Sequence, residues 1–326
     1  MRQPAPSPQR GRALAMLLLA NLFWGLSFPL IKAIGALQTR LIPASDSWFI
    51  TACTLAPRFL FGALIVGALC LPALKTLTRS EKRQGLGLGL FAVAGMIFQN
   101  DGLLFTSAST SAFLTQFYAI LIPVWIALRA RRAPPWTVWV SCALVIAGVA
   151  VLARLDWRDL RLGRGELETL ICSVFFMGQI LWLDRAEFAS NRALPVTTVM
   201  FLVEGIAAAA MAALTAPQLH DVLVPWTSPA WLVLTLGLTV FCTVGAYVLM
   251  NQWQPKITAT EAGLIYCVEP VFASIMALFL PALFSAQAGI DYANESTTAH
   301  LLLGGGLITA ANVLIQLKPL PKRPPA

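Results

Sequence analysis

Three charged residues stand where charge is most expensive. The stretch TATEAGLIYCVEPVFASIMALFL, residues 258–280, is apolar enough to cross a membrane, yet it carries Glu269 followed by Pro270 near its middle. Arg58 is equally central in LAPRFLFGAL, and Glu204 in FLVEGIAAAA. A charge at the bilayer centre costs about 2.5 kcal/mol or more, so such residues line a polar cavity or face one another. Pro270 removes the hydrogen bond to the carbonyl of Tyr266 and predicts a kink. A freed carbonyl at that depth is tolerated where it meets a cavity or protein. Pro57 and Pro123 mark kinks in two other apolar runs. Two readings follow. Glu269 lines a solute cavity with Arg58 and Glu204 as counter-charges, or the charges form an architectural pair between packed helices.

Uncharged candidates for the same path are Asn100, Gln116, Tyr118, Gln179, Asn251 and Tyr266, although hydrogen bonding between helices explains each equally well. Trp24 reads as an aromatic wall of the path or as a residue at the lipid interface. No catalytic residue stands out. The six cysteines all lie in apolar segments without a CxxC pair, and His220 and His300 are far apart, so they give no metal site. The glycine runs GLGLGLFAVAG (85–95) and LLLGGGL lack the Lys-Ser/Thr of a phosphate loop and no strand precedes them; they read as close helix contacts, and no cofactor is implied.

These residues need long apolar elements to hold them, and the composition supplies them. Of 326 residues, 58% are hydrophobic and 12% charged, against about 25% charged in a soluble domain. The net charge of +8 is spread between apolar runs and not along one stripe, so nucleic acid is not an expected partner. The first run is longer than the h-region of a signal peptide and reads as a retained helix. A span needs about 20 apolar residues. By that measure ten helices are predicted, at 13–34, 48–71, 85–105, 108–128, 136–153, 165–183, 196–215, 229–250, 259–280 and 300–317. With both termini cytoplasmic, sixteen Lys and Arg fall inside and five outside, namely Arg40, Arg154, Arg158, Arg161 and Arg164.

The halves of the chain repeat. A shift of 151 lays FQNDGLLFTSASTSAFLTQFYA over LMNQWQPKITATEAGLIYCVEP, so that Asn100 meets Asn251 and Tyr118 meets Glu269. A shift of 153 lays FWGLSFPLIKA over FMGQILWLDRA, so that Gly25 meets Gly178 and Lys32 meets Arg185. Five spans per half is odd, so the second half enters the membrane inverted, an arrangement that places a substrate site near the midplane. The expected fold is an all-α integral membrane protein of ten helices in two inverted five-helix repeats. The repeats run over 13–153 and 165–317, with a linker at 154–164 and cytoplasmic tails at 1–12 and 318–326.

Four segments, FWGLSFPLIKA, LAPRFLFGAL, TSASTSAFLTQFYAILIPV and TATEAGLIYCVEPVFASIMAL, resemble the EamA-type transporters of the drug/metabolite transporter superfamily. The resemblance covers nearly the whole chain. It implies export of amino acids or related small metabolites across a bacterial inner membrane, with spans one to four and six to nine around the path and spans five and ten at the periphery. The chain departs from the family where members carry Gly-Glu after spans four and nine; here those places read LRARR and LPALF. The expected partners are a small-molecule solute and the lipid bilayer, with oligomeric partners left open. The alternatives are a lipid-carrier or nucleotide-sugar transporter on the same scaffold, or an intramembrane lipid-modifying enzyme.

Overall fold

The computed structural model describes residues 7–131, 133–152, 163–296 and 298–317. Most of the expected linker and the C-terminal tail lie outside the described residues. Among the described residues every regular element is helical. The chain begins with α1 (Ser7–Leu41), α2 (Ser47–Leu69) and α3 (Arg79–Phe105). A broken helix follows, α4a (Ala108–Thr115) and α4b (Tyr118–Ala130), and then α5 (Trp136–Leu152). The second half runs α6 (Arg164–Leu183), α7 (Ala193–Thr215) and α8, which starts at Pro229 and ends at Trp253. It closes with the broken helix α9a (Ala259–Tyr266) and α9b (Glu269–Ala277), and α10 (Ala299–Leu317). Eight of these helical stretches are long and apolar enough to cross a membrane. The apolar parts of α5 and α10, Trp136–Gly148 and Leu302–Ala311, are shorter. Large apolar side chains such as Leu64, Leu214 and Leu302 point outward, as a lipid-facing surface requires.

Helix starts carry the side-chain acceptors that free backbone amides need. Asp46 caps α2 by accepting from the Phe49 amide at 2.8 Å. Thr78 with Glu81, and Thr258 with Glu261, form reciprocal capping boxes at the starts of α3 and α9a. Ser107 caps α4a through the Thr110 amide.

Both broken helices break alike. In α4 the amides of Gln116 and Phe117 reach back three residues to Phe113 and Leu114; in α9 those of Cys267 and Val268 reach Leu264 and Ile265. The N-cap, the start and end of the first segment and the restart in α9 each fall 151 residues after those in α4. Pro270 is the second residue of α9b and accounts for one break. The corresponding place in α4b is Ala119, and Pro123 lies inside α4b. Pro57 lies inside the continuous α2.

The helices pack as intersecting pairs. α2 lies along α7, α3 against α6 and α7, α1 against α8 and α9, and α5 against α10. Glycine makes the closest crossings possible. A side chain at Gly85 or Gly89 would meet the α7 carbonyls of Val196 or Met200 at 2.8 and 2.9 Å, and one at Gly25 would meet the Phe272 Cβ at 2.7 Å. In α8 residues Leu238–Gly245 form a π-helical stretch in which the Thr243 hydroxyl bonds the Leu238 carbonyl, five residues back.

One end of the bundle is tied by Glu81. It is 2% exposed and accepts from Arg192 Nε at 2.7 Å and Nη2 at 2.9 Å. Removing that guanidinium in Arg192→Ala leaves a buried carboxylate underpartnered. Because Arg192 is itself exposed to solvent, the expected loss is modest. Thermal unfolding followed through the six buried thiols should show a lower Tm, with Arg192→Lys intermediate.

Candidate functional site

A cavity lies where the two broken helices meet α1, α3, α6 and α8. It offers about 50 Å³ of space to a water-sized molecule, within about 460 Å³ of atom-free space that includes its open mouth. The breaks shape its wall. Thr115 and Tyr118 flank the break in α4, Tyr266 and Glu269 flank the break in α9, and all four side chains line it. Trp24 and Ser27 come from successive turns of α1, Met96 and Gln99 from α3, and Phe176, Gln179 and Ile180 from α6. Tyr247 and Met250 follow the π-helical stretch of α8. The helices α2, α5, α7 and α10 contribute none of these residues.

Ten of the thirteen described lining residues are pairwise related along the chain. Met96 and Tyr247, Gln99 and Met250, Thr115 and Tyr266, and Tyr118 and Glu269 are each separated by 151 residues, and Ser27 and Ile180 by 153. The same shifts align the two halves of the sequence.

Of the residues expected from sequence, the structure brings Trp24, Tyr118, Gln179, Tyr266 and Glu269 together here. Glu269 is 7% exposed and enters none of the ion pairs among the described residues. Gln116 is its fully buried neighbour, with its side-chain amide directed at the Glu269 carboxyl. The rings form a connected wall. Trp24 meets Tyr247 and Tyr266 edge-on, both at 5.3 Å between centroids, and Phe59 and Phe201 pack behind Tyr247. The Tyr266 hydroxyl donates to Gln254 Oε1 at 2.9 Å, and Gln254 donates onward to the Ile180 carbonyl.

The other expected residues lie elsewhere. Arg58 and Glu204 are both fully buried between α2 and α7, behind Tyr247. Arg58 donates through Nε to the Thr243 hydroxyl at 2.6 Å and through Nη2 to the Cys242 carbonyl at 3.4 Å. Its Nη1 and both carboxylate oxygens of Glu204 have no hydrogen-bond partner among the described residues. The two groups interact through space without a direct ion pair, and neither lines the cavity. Asn100 donates to its own helix, at the Met96 carbonyl. Asn251 donates to Thr197 at 2.8 Å and lines a second hollow near Arg192 and Lys256.

Both ends of the bundle are laced shut around this cavity. At the end holding Glu81, Arg10 bonds Glu261 at 2.7 Å and Arg12 lies over the Trp253 ring. At the other end Arg164 bonds Asp101 at 2.5 Å and Glu168 at 2.8 Å, and Lys32 bonds the Thr106 carbonyl.

A cavity at the centre of a bundle of apolar helices, flanked by two broken helices, is the arrangement of a solute carrier. The EamA-like transporter family matches residues 11–154, which hold α1 to α5. The chain is a transporter whose first half is similar to the EamA-like family. A protein of Archaeoglobus fulgidus, described as an uncharacterized transporter, is 24% identical over 305 residues, 93% of this chain and 85% of its own. A crystal structure at 19% identity superposes with a TM-score of 0.66, over 94% of this chain and 97% of that one, and shows the shared fold. The transporter is thus a multi-pass membrane protein and not an enzyme.

Sequence reasoning missed Ser27, Met96, Gln99, Thr115, Phe176, Ile180, Tyr247 and Met250. The internal repeat held a signal for several of them. Tyr266 and Glu269 are repeat partners of Thr115 and Tyr118, so either member of a pair points to the other.

Proposed function

We propose that the protein is a secondary or facilitated transporter that moves a small organic solute outward across a bacterial inner membrane by alternating access. In this reading the ten helices α1 to α10 are ten spans, arranged as inverted repeats over 13–153 and 165–317. Amino acids and related metabolites are the cargo class that the family resemblance implies. The observation that carries the reading is the pairwise relation of the cavity lining. A cavity built from the same positions of both repeats sits on their pseudo-two-fold axis, where rocking one half against the other exposes it to each face in turn. The two laced ends support the same cycle, since opening either face requires parting one set of ion pairs. A lipid-phosphate or nucleotide-sugar cargo calls for basic residues at the site, and none of the described lining residues is basic.

Solute counterflow in proteoliposomes, run with a mixed panel of amino acids and metabolites, tests the reading. Exchange of at least one solute is expected. Chemical modification of the lipid with no solute exchanged would overturn it in favour of an enzyme.

The orientation places both termini in the cytoplasm. A cysteine at Ile290 should react with a membrane-impermeant thiol reagent from outside, and one at Ser80 only from inside. The reverse pattern inverts the topology and the direction of export.

A further inference from the structure

We infer that the solute of this cavity is a cationic amine on an apolar body, carrying no carboxylate of its own. The inference deepens the transport reading and rests on it for the cavity being the path. Among the described residues the lining holds one ionisable carboxyl, Glu269, and no lysine, arginine or histidine. The one arginine and the one lysine that fall inside the expected spans are engaged elsewhere. Arg58 is bonded to Thr243 and Cys242 behind the Tyr247 ring, and Lys32 to the Thr106 carbonyl two turns from Trp24. A carboxyl at membrane depth with no cation beside it stays protonated until a positive partner arrives, and none of the described residues supplies one at the wall.

The surroundings of Glu269 fit an ammonium group. Trp24 meets Tyr247 and Tyr266 edge-on at 5.3 Å and all three rings line the cavity; aromatic rings are the side chains that attract a desolvated cation. Phe176, Met96 and Met250 complete an apolar pocket for the rest of the molecule. A zwitterionic amino acid fits poorly, because its carboxylate finds only neutral donors. Several of those are already committed: the Thr115 hydroxyl to the Ser111 carbonyl at 2.8 Å, the Ser27 hydroxyl to the Trp24 carbonyl at 2.6 Å, and the Gln99 amide to Thr115. The cavity therefore selects the decarboxylated relative of an amino acid over the amino acid itself.

The test uses two matched sets of probes on the purified full chain in nanodiscs. One is phenethylamine, phenylalanine, 2-phenylethanol and phenylacetate; the other is isoamylamine, leucine, isoamyl alcohol and isovalerate. Binding is read by tryptophan fluorescence and thermal shift, and counterflow is run in parallel. In at least one set the amine should bind about tenfold or more tighter than the other three, and Glu269→Gln should erase that preference while the variant keeps its Tm. Equal or tighter binding of the amino acid or the acid overturns the inference. So does a preference that survives Glu269→Gln, or no binding by either amine. Amine-selective binding without counterflow leaves the inference standing and removes the transport reading, whereas counterflow without charge preference does the reverse.

Discussion

Glu269→Gln should insert and fold normally, yet lose solute exchange by roughly ten- to hundredfold, the equivalent of one hydrogen bond to a charged group of about 1.5–3 kcal/mol. The carboxyl is buried against the cavity and not locked to any cation of the described residues, so glutamine keeps its size and removes only what a solute would feel. Were Glu269 half of a structural pair, neutralising it would strand a partner at about 3–5 kcal/mol, and yield and Tm would fall with transport. Expression, Tm and counterflow measured on the same preparations separate these outcomes. Stable protein with unchanged exchange contradicts both roles.

The largest loss of stability is expected at Arg58. It is fully buried, and Glu204 is the one carboxylate shown acting near it across the α2–α7 contact. Arg58→Met removes the cation that acts through space on Glu204, whose oxygens already lack a hydrogen-bond partner among the described residues, and the bonds to Thr243 and the Cys242 carbonyl, at about 1–3 kcal/mol. Adding Glu204→Gln should restore most of the Tm, because a neutral pair of similar volume does not need a counter-charge. Transport in the double variant should recover with stability, since neither side chain lines the cavity. A double variant as unstable as Arg58→Met would instead assign the loss to the bonds from Arg58 to Thr243 and the Cys242 carbonyl. The readout is thermal unfolding of the single and double variants in one detergent.

What sequence could read here follows from the solvent. Lipid imposes long apolar runs, so helix boundaries such as 108–130 and 164–183 were predictable to within a few residues. The charge at Glu269 and the proline beside it announced a cavity because both are costly at depth. The sequence did not separate Glu269 from Arg58 and Glu204, which are equally central in their spans. Which face of a helix meets a cavity and which meets a neighbour depends on rotation about its axis, and the mean apolarity of a run does not fix rotation. Tyr247 was missed for a related reason: the π-helical stretch before it shifts the face that α8 presents, and nothing in LTVFCTVG marks such a stretch. The break at Gln116 and Phe117 was also hidden, because α4 bends there without the proline that marks the same place in α9.

The central claim is that solute passes through the cavity around Glu269 and that the cavity opens to each face in turn. Gln179 is buried on its wall in α6, and the six native thiols are buried, so Gln179→Cys offers a single reporter. A membrane-impermeant thiol reagent should reach it in right-side-out and in inverted vesicles, stop counterflow from both, and be slowed by saturating solute. Labelling from one face alone, or complete labelling with counterflow unchanged, would contradict the account.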